Sequence, residues 1–357
     1  MTRCDVPVVL AVYNRPEKLR RLLELVAHAQ PTMLLVIADG PKAGNAEDAL
    51  RVSMVRRILE RIDWPCEVLR RESPVNVGCD TWVPAGIDWA FEHVERAIVL
   101  EDDLIVHPQF FAWCAGLLEL YGDGSQLGCV SGRNELVRWP SGGSDHLLIH
   151  RGSNLGFGTW RRAWQAARSV ELPGPDDAIA AQVACGSVDP VVAHHFEWLR
   201  VLSRTGIHLG WDTRWELQRS IRGMLSAVSA TNLVVHGGYD EEATHDWNPE
   251  GLKSVQPLLA PVDRRGQVPQ APDHTLDRWS LYVALASVCR DPRMAVRLAR
   301  SHNLVTDGRT RHHLAPFMSH SDFGGTLAHL RAAGCRSPII ERMLDAIGAT
   351  ARVGTDR

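Results

Sequence analysis

Near-continuous apolar runs alternate with stretches of helical period along the first hundred residues. Val6–Tyr13 (VPVVLAVY), Leu34–Ala38, Cys66–Leu69 and Ile98–Leu100 read as strands covered on both faces. Between them, Leu19, Leu22, Leu23 and Val26 fall on one helical face, behind a turn, Asn14-Arg15-Pro16-Glu17, suited to a helix start. Val52, Val55, Leu59 and Ile62 mark a second helix from about Ala46 to Arg61, and Thr81–Val94 a third. Such alternation predicts a mostly parallel, right-handed sheet with helices on both faces. Further on, Ala112–Tyr121 reads as a helix, and Leu127–Ser131 and Asn232–His236 as strands. Lys253–Asp273 holds four prolines and reads as a linker or an extended wrap. Helical pattern returns in Leu276–Arg290, Met294–Leu304, Thr326–Ala333 and Pro338–Ile347. The expected organisation is an α/β domain over residues 1–250, a Pro-rich linker over 251–275 and a helical C-terminal extension over 276–357.

Composition narrows the function classes. With 357 residues, 45% hydrophobic and 23% charged, the chain has the make-up of a soluble globular protein. A formal net charge of −3 argues against a nucleic-acid partner. Eight scattered cysteines without a CxxC pair point to reduced thiols and a cytoplasmic setting. The N-terminal apolar run is too short to span a membrane. No strong basic amphipathic helix marks the tail as a membrane binder, although peripheral contact stays open. Twelve tryptophans lean weakly towards carbohydrate, because indoles stack on sugar rings.

The densest chemistry lies in Ala97–Phe111 (AIVLEDDLIVHPQFF), where a short strand ends in Glu101, Asp102 and Asp103. Adjacent desolvated anions repel, and Mg²⁺ or Mn²⁺ is the usual hard partner for such oxygens. Ligands of open α/β sheets bind beyond the carboxyl ends of the strands, which suits a metal-bound diphosphate. The alternative is an acidic turn capping the helix after Pro108. Neither G-x-x-x-x-G-K-[ST] nor a full G-x-G-x-x-G occurs, so metal rather than a glycine loop would neutralise phosphates. In Gly152–Trp164 (GSNLGFGTWRRAW), glycines with Trp and Arg fit either a ligand-binding loop or a Gly turn opening a helix with two core tryptophans. Asp212, in GWDTRW, sits between tryptophans that would raise its pKa towards that of a general base.

Taken in order, AVYNRPEKLRRLLELV, VIADGP, NVGCD, VLEDDLIVHPQFF and VSGRNE resemble glycosyltransferases of the GT-A fold. The likeness is to bacterial family-2-type enzymes and the N-acetylglucosaminyltransferase I group, and it runs from about Val6 to Trp247. The resemblance implies a Rossmann-like sheet and a metal-dependent, inverting transfer of a hexosyl or N-acetylhexosaminyl group. The donor would be a nucleotide sugar, UDP-sugar favoured, and the acceptor a glycan or other hydroxyl compound. It assigns Arg15 and Asp39 to the base and ribose, Asn76 to the border of the same pocket, and Asp103 to Mn²⁺ or Mg²⁺. Glu101 and Asp102 would orient ribose, metal waters and donor sugar; Asp212 would be the base and His245 a second metal ligand. One rival is a sugar nucleotidyltransferase, which normally carries a Gly-rich N-terminal loop, whereas Val9–Pro16 has no glycine. The other is a non-catalytic carbohydrate-binding protein that retains the fold; intact Asp103 and Asp212 count against it.

Overall fold

The computed structural model describes residues 3–122, 126–205, 208–237, 260–261, 268–278 and 280–281. The alternation read from the sequence builds β1 (Val8–Val12), α1 (Pro16–Ala29), β2 (Met33–Ala38), α2 (Ala46–Leu59), β3 (Glu67–Glu72), α3 (Cys79–His93) and β4 (Arg96–Glu101). These four strands lie parallel in the order β3-β2-β1-β4. Side chains alternate along β1: Val8, Leu10 and Val12 pack beneath Leu19, Leu22 and Val26 of α1, and Val9 and Ala11 meet Ile87, Ala90 and Phe91 of α3 on the other face. Each such buried aliphatic or aromatic side chain stabilises the sheet by roughly 1.5–3 kcal/mol. Both faces are therefore covered, as the unbroken apolar runs required.

Beyond β4 come β5 (Leu104–Val106), α4 (Phe110–Leu120), β6 (Leu127–Ser131), β7 (His146–Ile149), β8 (Phe157–Trp160), α5 (Arg161–Arg168), α6 (Ala178–Ala184), α7 (Pro190–Arg204), α8 (Trp211–Ile221), β9 (Leu225–Ser229) and β10 (Val234–His236). They complete an eight-stranded sheet, β3-β2-β1-β4-β8-β6-β9-β7, and a separate pair, β10-β5. Strands β8 and β7 run against the other six, so the sheet is mostly parallel and of Rossmann-like build. The mostly parallel α/β sheet flanked by helices is as expected; the helical extension expected beyond residue 281 lies outside the described residues. Among the described residues no helix is long and apolar enough to cross a membrane.

The Gly/Trp/Arg stretch is corrected in favour of its packing role. Gly158 lies in mid-sheet, where a Cβ would come 2.5 Å from Cys114 Sγ of α4, so glycine is there to admit the helix. Trp160 and Trp164 are core residues, and Arg162 donates to the carbonyls of Tyr121, Gly122 and Leu127. The described part of the Pro-rich stretch is docked on the domain: Pro272 bridges to Leu148, and Asp273 N–H donates to Leu148 O at 2.7 Å. Asp277, fully buried, accepts the N–H groups of His150 and Arg151 at 2.9 and 3.0 Å.

Candidate active site

The acids at the end of β4 are arranged by the neighbouring strand. Asp102 N–H donates to Ala11 O at 3.0 Å, extending the β1–β4 pairing by one residue. Its carboxylate accepts Tyr13 N–H at 2.9 Å and Arg15 Nη1 at 2.8 Å; the same Nη1 lies 2.9 Å from Asp103 Oδ2. Burial disfavours the Arg15 charge, but Asp102 and then Asp103 outweigh it and hold the guanidinium pKa above its ordinary value. Burial raises the Asp102 pKa, Arg15 offsets part of the rise, and Asp103 adds to it. Glu101 is pushed up to about 8, by burial first and then by Asp103, Asp212 and Asp102. Arg15 thus serves both Asp102 and Asp103, and Glu101 beside them is held protonated to a higher pH than an ordinary carboxyl.

On the far side of Asp103 stands a residue the sequence reading did not assign, His236. Antiparallel pairing sets His236 opposite Leu104, and Gly237 N–H donates to Asp103 O at 2.7 Å. His236 Nε2 consequently lies 3.6 Å from Asp103 Oδ2. Burial lowers the His236 pKa in spite of Asp103, which favours the neutral imidazole that binds metals. The second oxygen, Asp103 Oδ1, is buried and has no hydrogen-bond partner. Such an atom carries an unmet desolvation cost of about 1–3 kcal/mol. A hard carboxylate oxygen left bare, its sister atom fixed by Arg15, with a neutral imidazole near, is a donor set that fits a divalent cation. Among the described residues no three His, Cys, Asp or Glu side chains form a metal cage by themselves. His245 lies outside the described residues. The available signal was positional: an apolar run ending in His236-Gly237 mirrors β2 ending in Asp39-Gly40.

Asp39, at the end of β2, and Asn76 are brought together in one hydrogen-bonded turn. The Asp39 carboxylate accepts the N–H groups of Gly40, Val77 and Gly78 at 2.8, 2.9 and 2.9 Å, and Asn76 Nδ2 at 3.1 Å. Asn76 Nδ2 also donates to Gly40 O at 3.2 Å. Gly40 must lack a side chain, since a Cβ would sit 2.5 Å from the Val75 backbone. Both residues therefore fix the shape of this turn, while Arg15 is committed to the acids of β4. Asp48 ties the turns after β1 and β2 to each other, accepting Tyr13 Oη, Asn14 Nδ2 and Lys42 N–H, each at 2.6 Å.

Asp212 lies in the first turn of α8. Its expected setting between tryptophans is corrected. Trp211 and Trp215 turn inward, where Trp215 packs on Phe157 and Trp164 with ring centroids at 4.9 and 5.1 Å, and the Asp212 side chain is exposed. Helical period separates them: residues one and three places apart from Asp212 face the core, and Asp212 does not. A desolvated carboxyl does occur on this helix, at Glu216, one turn further along α8. Burial raises the Glu216 pKa, Arg151 and Arg219 oppose it, and Asp212 and Asp277 reinforce it. Arg151 Nε lies 3.3 Å from Glu216 Oε1, and Arg133 grips Glu135 through two hydrogen bonds of 2.8 and 2.9 Å. The Asp212 charge adds to the rise in pKa of both Glu101 and Glu216.

No family model and no curated protein matches the sequence. Among solved structures, similarity is found to the mannosyltransferase PcManGT from Pyrobaculum calidifontis in complex with GDP-Man and Mn²⁺, at a TM-score of 0.36 and 12% identity over 89% of this chain and 86% of that one. A UDP-glucose pyrophosphorylase complexed with UDP-glucose is similar at a TM-score of 0.34 and 8% identity, over 63% of this chain and 91% of that one. At these scores neither likeness bears on chemistry, and the functional reading rests on the residues themselves.

Proposed function

We propose that the protein is a metal-dependent, inverting glycosyltransferase that moves a sugar from a nucleotide-sugar donor to an acceptor hydroxyl. What carries the reading is Asp103: a buried carboxylate at the carboxyl end of a parallel strand, one oxygen held by Arg15 and the other without a partner. Asp103 would hold Mn²⁺ or Mg²⁺, with His236 near enough to take a second position after a small shift and the remaining ligands coming from the diphosphate. The cation would supply charge neutralisation of the departing nucleoside diphosphate. Arg15 fixes the orientation of Asp102 and Asp103. Asp39, Asn76 and Gly40 shape the turn that receives the nucleotide, for which uridine is favoured by the resemblance of the sequence motifs. Asp212, exposed in the first turn of α8, would take the acceptor proton as the bond to the sugar forms. Acid–base assistance of this kind contributes roughly 10²–10⁴-fold in rate.

Calorimetric titration with UDP, GDP, dTDP and CDP, with and without Mn²⁺, tests the reading. One diphosphate should bind in a manganese-dependent manner, and Asp103→Ala should abolish that binding. If none binds with metal present, or if Asp103→Ala binds like the parent, the assignment is wrong.

A further inference from the structure

Asp80 belongs to the NVGCD motif and has no role in the site as described. It stands in the first turn of α3, directly after the turn that Asp39 and Asn76 shape, yet its carboxylate reaches across to α8. Asp80 Oδ1 accepts Trp211 N–H at 2.8 Å, and Asp80 Oδ2 lies 2.7 Å from His208 Nε2. The N-cap of α8 is Gly210, which has no side chain to cap the helix. An acid at a helix N-terminus satisfies an otherwise orphaned N–H and complements the helix dipole. Here the acid comes from a different element, 131 positions away in sequence, and it grips the residue next to Asp212. The Asp212 carboxylate itself accepts Thr213 N–H at 2.7 Å, so the geometry of that first turn fixes its direction.

From this we infer that Asp80 is a positioning residue: it anchors the first turn of α8 to α3 and so fixes the direction of the Asp212 carboxylate. The inference rests on the proposed role of Asp212 as base. A misplacement of about 1 Å at a reacting group can cost on the order of a hundredfold in rate, so loss of this anchor is large enough to measure.

The test compares Asp80→Ala, Asp80→Asn, Asp212→Asn and the double variant Asp80→Ala/Asp212→Asn in the full chain. Three readings are taken: UDP–Mn²⁺ binding by calorimetry, UDP release from UDP-glucose with water as acceptor, and amide hydrogen exchange over residues 211–214. Asp80→Ala should bind UDP–Mn²⁺ within about twofold of the parent, release UDP at least about tenfold more slowly and exchange faster at 211–214. Asp80→Asn keeps an oxygen for Trp211 N–H and should recover most of the rate. In the Asp212→Asn background, Asp80→Ala should cost nothing further, because residues acting as a unit are non-additive. An unchanged rate in Asp80→Ala, an equal loss with and without Asp212, or unaltered exchange overturns the inference. A parent that binds none of UDP, GDP, dTDP and CDP with Mn²⁺ refutes glycosyl transfer itself, and the exchange reading then shows separately whether Asp80 anchors the helix.

Discussion

Glu101→Gln should stabilise the metal-free protein, and by more the higher the pH. In the folded chain Glu101 titrates near 8 instead of its ordinary 4.5, because burial and the charges of Asp103, Asp212 and Asp102 all oppose its ionisation. The unfolded chain releases this proton at the ordinary value. Stability from Glu101 is therefore fully present below about pH 4.5 and is lost as pH rises towards 8. At pH 7 the full difference corresponds to about 3 kcal/mol, at 1.36 kcal/mol for each pH unit crossed. Glu101 is only partly buried, and solvent screening reduces the figure to on the order of 1–3 kcal/mol. Glutamine keeps the shape and stays neutral. Parent and variant should have nearly equal midpoints at pH 4.5 and separate progressively above it, by about 2–4 °C for each kcal/mol in a domain of this size. Thermal and urea unfolding in EDTA between pH 4.5 and 8 measures the gap. A gap that does not change with pH, or a variant less stable than the parent at pH 8, would refute the electrostatic account of the strand-end acids.

Asp212→Asn should bind UDP–Mn²⁺ normally yet release UDP at least about a hundredfold more slowly, the low end for a lost acid–base group. Glu216→Gln, on the same helix, should lose less; the opposite ranking in a UDP-release assay would move the base role to Glu216. Asp277→Ala strands the buried N–H groups of His150 and Arg151, each at about 1–3 kcal/mol, so its thermal midpoint should fall by several degrees. A midpoint within a degree of the parent would mean that the segment around Asp277 does not hold the domain.

How far the sequence was readable followed the kind of signal each element carries. Strands β1, β2 and β4 and helices α1 and α3 are apolar on strict periods and were legible. Strands β7 and β9 were not, because HLLI and LSAVS are short and mixed with polar residues whose partners come from distant segments. Strand β8, FGTW, has no apolar run of its own; antiparallel pairing with β4 and β6 makes it a strand, and Gly158 leaves room for α4. In the site, adjacency along the chain revealed Glu101, Asp102 and Asp103. His236 and Asp80 depend on contacts between residues more than a hundred positions from their partners, and no periodicity reports those. The exposure of Asp212 was a question of helical phase, which one tryptophan on either side of it, Trp211 and Trp215, disguised.

The acid cluster is hard to explain as architecture. If its task were to close the end of β4, Asn at 103 and Gln at 101 would make similar hydrogen bonds without like charges in a buried corner. The fold instead keeps Asp103 Oδ1 without a partner and holds Glu101 away from its ordinary ionisation, with Arg15 as the close counter-charge to the acids. An arrangement that is less stable than its neutral isosteres is retained more easily where a ligand relieves it. A divalent cation would do so in two ways, by giving Asp103 Oδ1 a partner and by releasing the Glu101 proton. Cation affinity should therefore rise with pH through the range in which Glu101 titrates, as it does wherever metal and proton compete for one set of oxygens. The stability cost expected in the metal-free protein and the affinity expected for the metal are, on this view, two consequences of the same interaction.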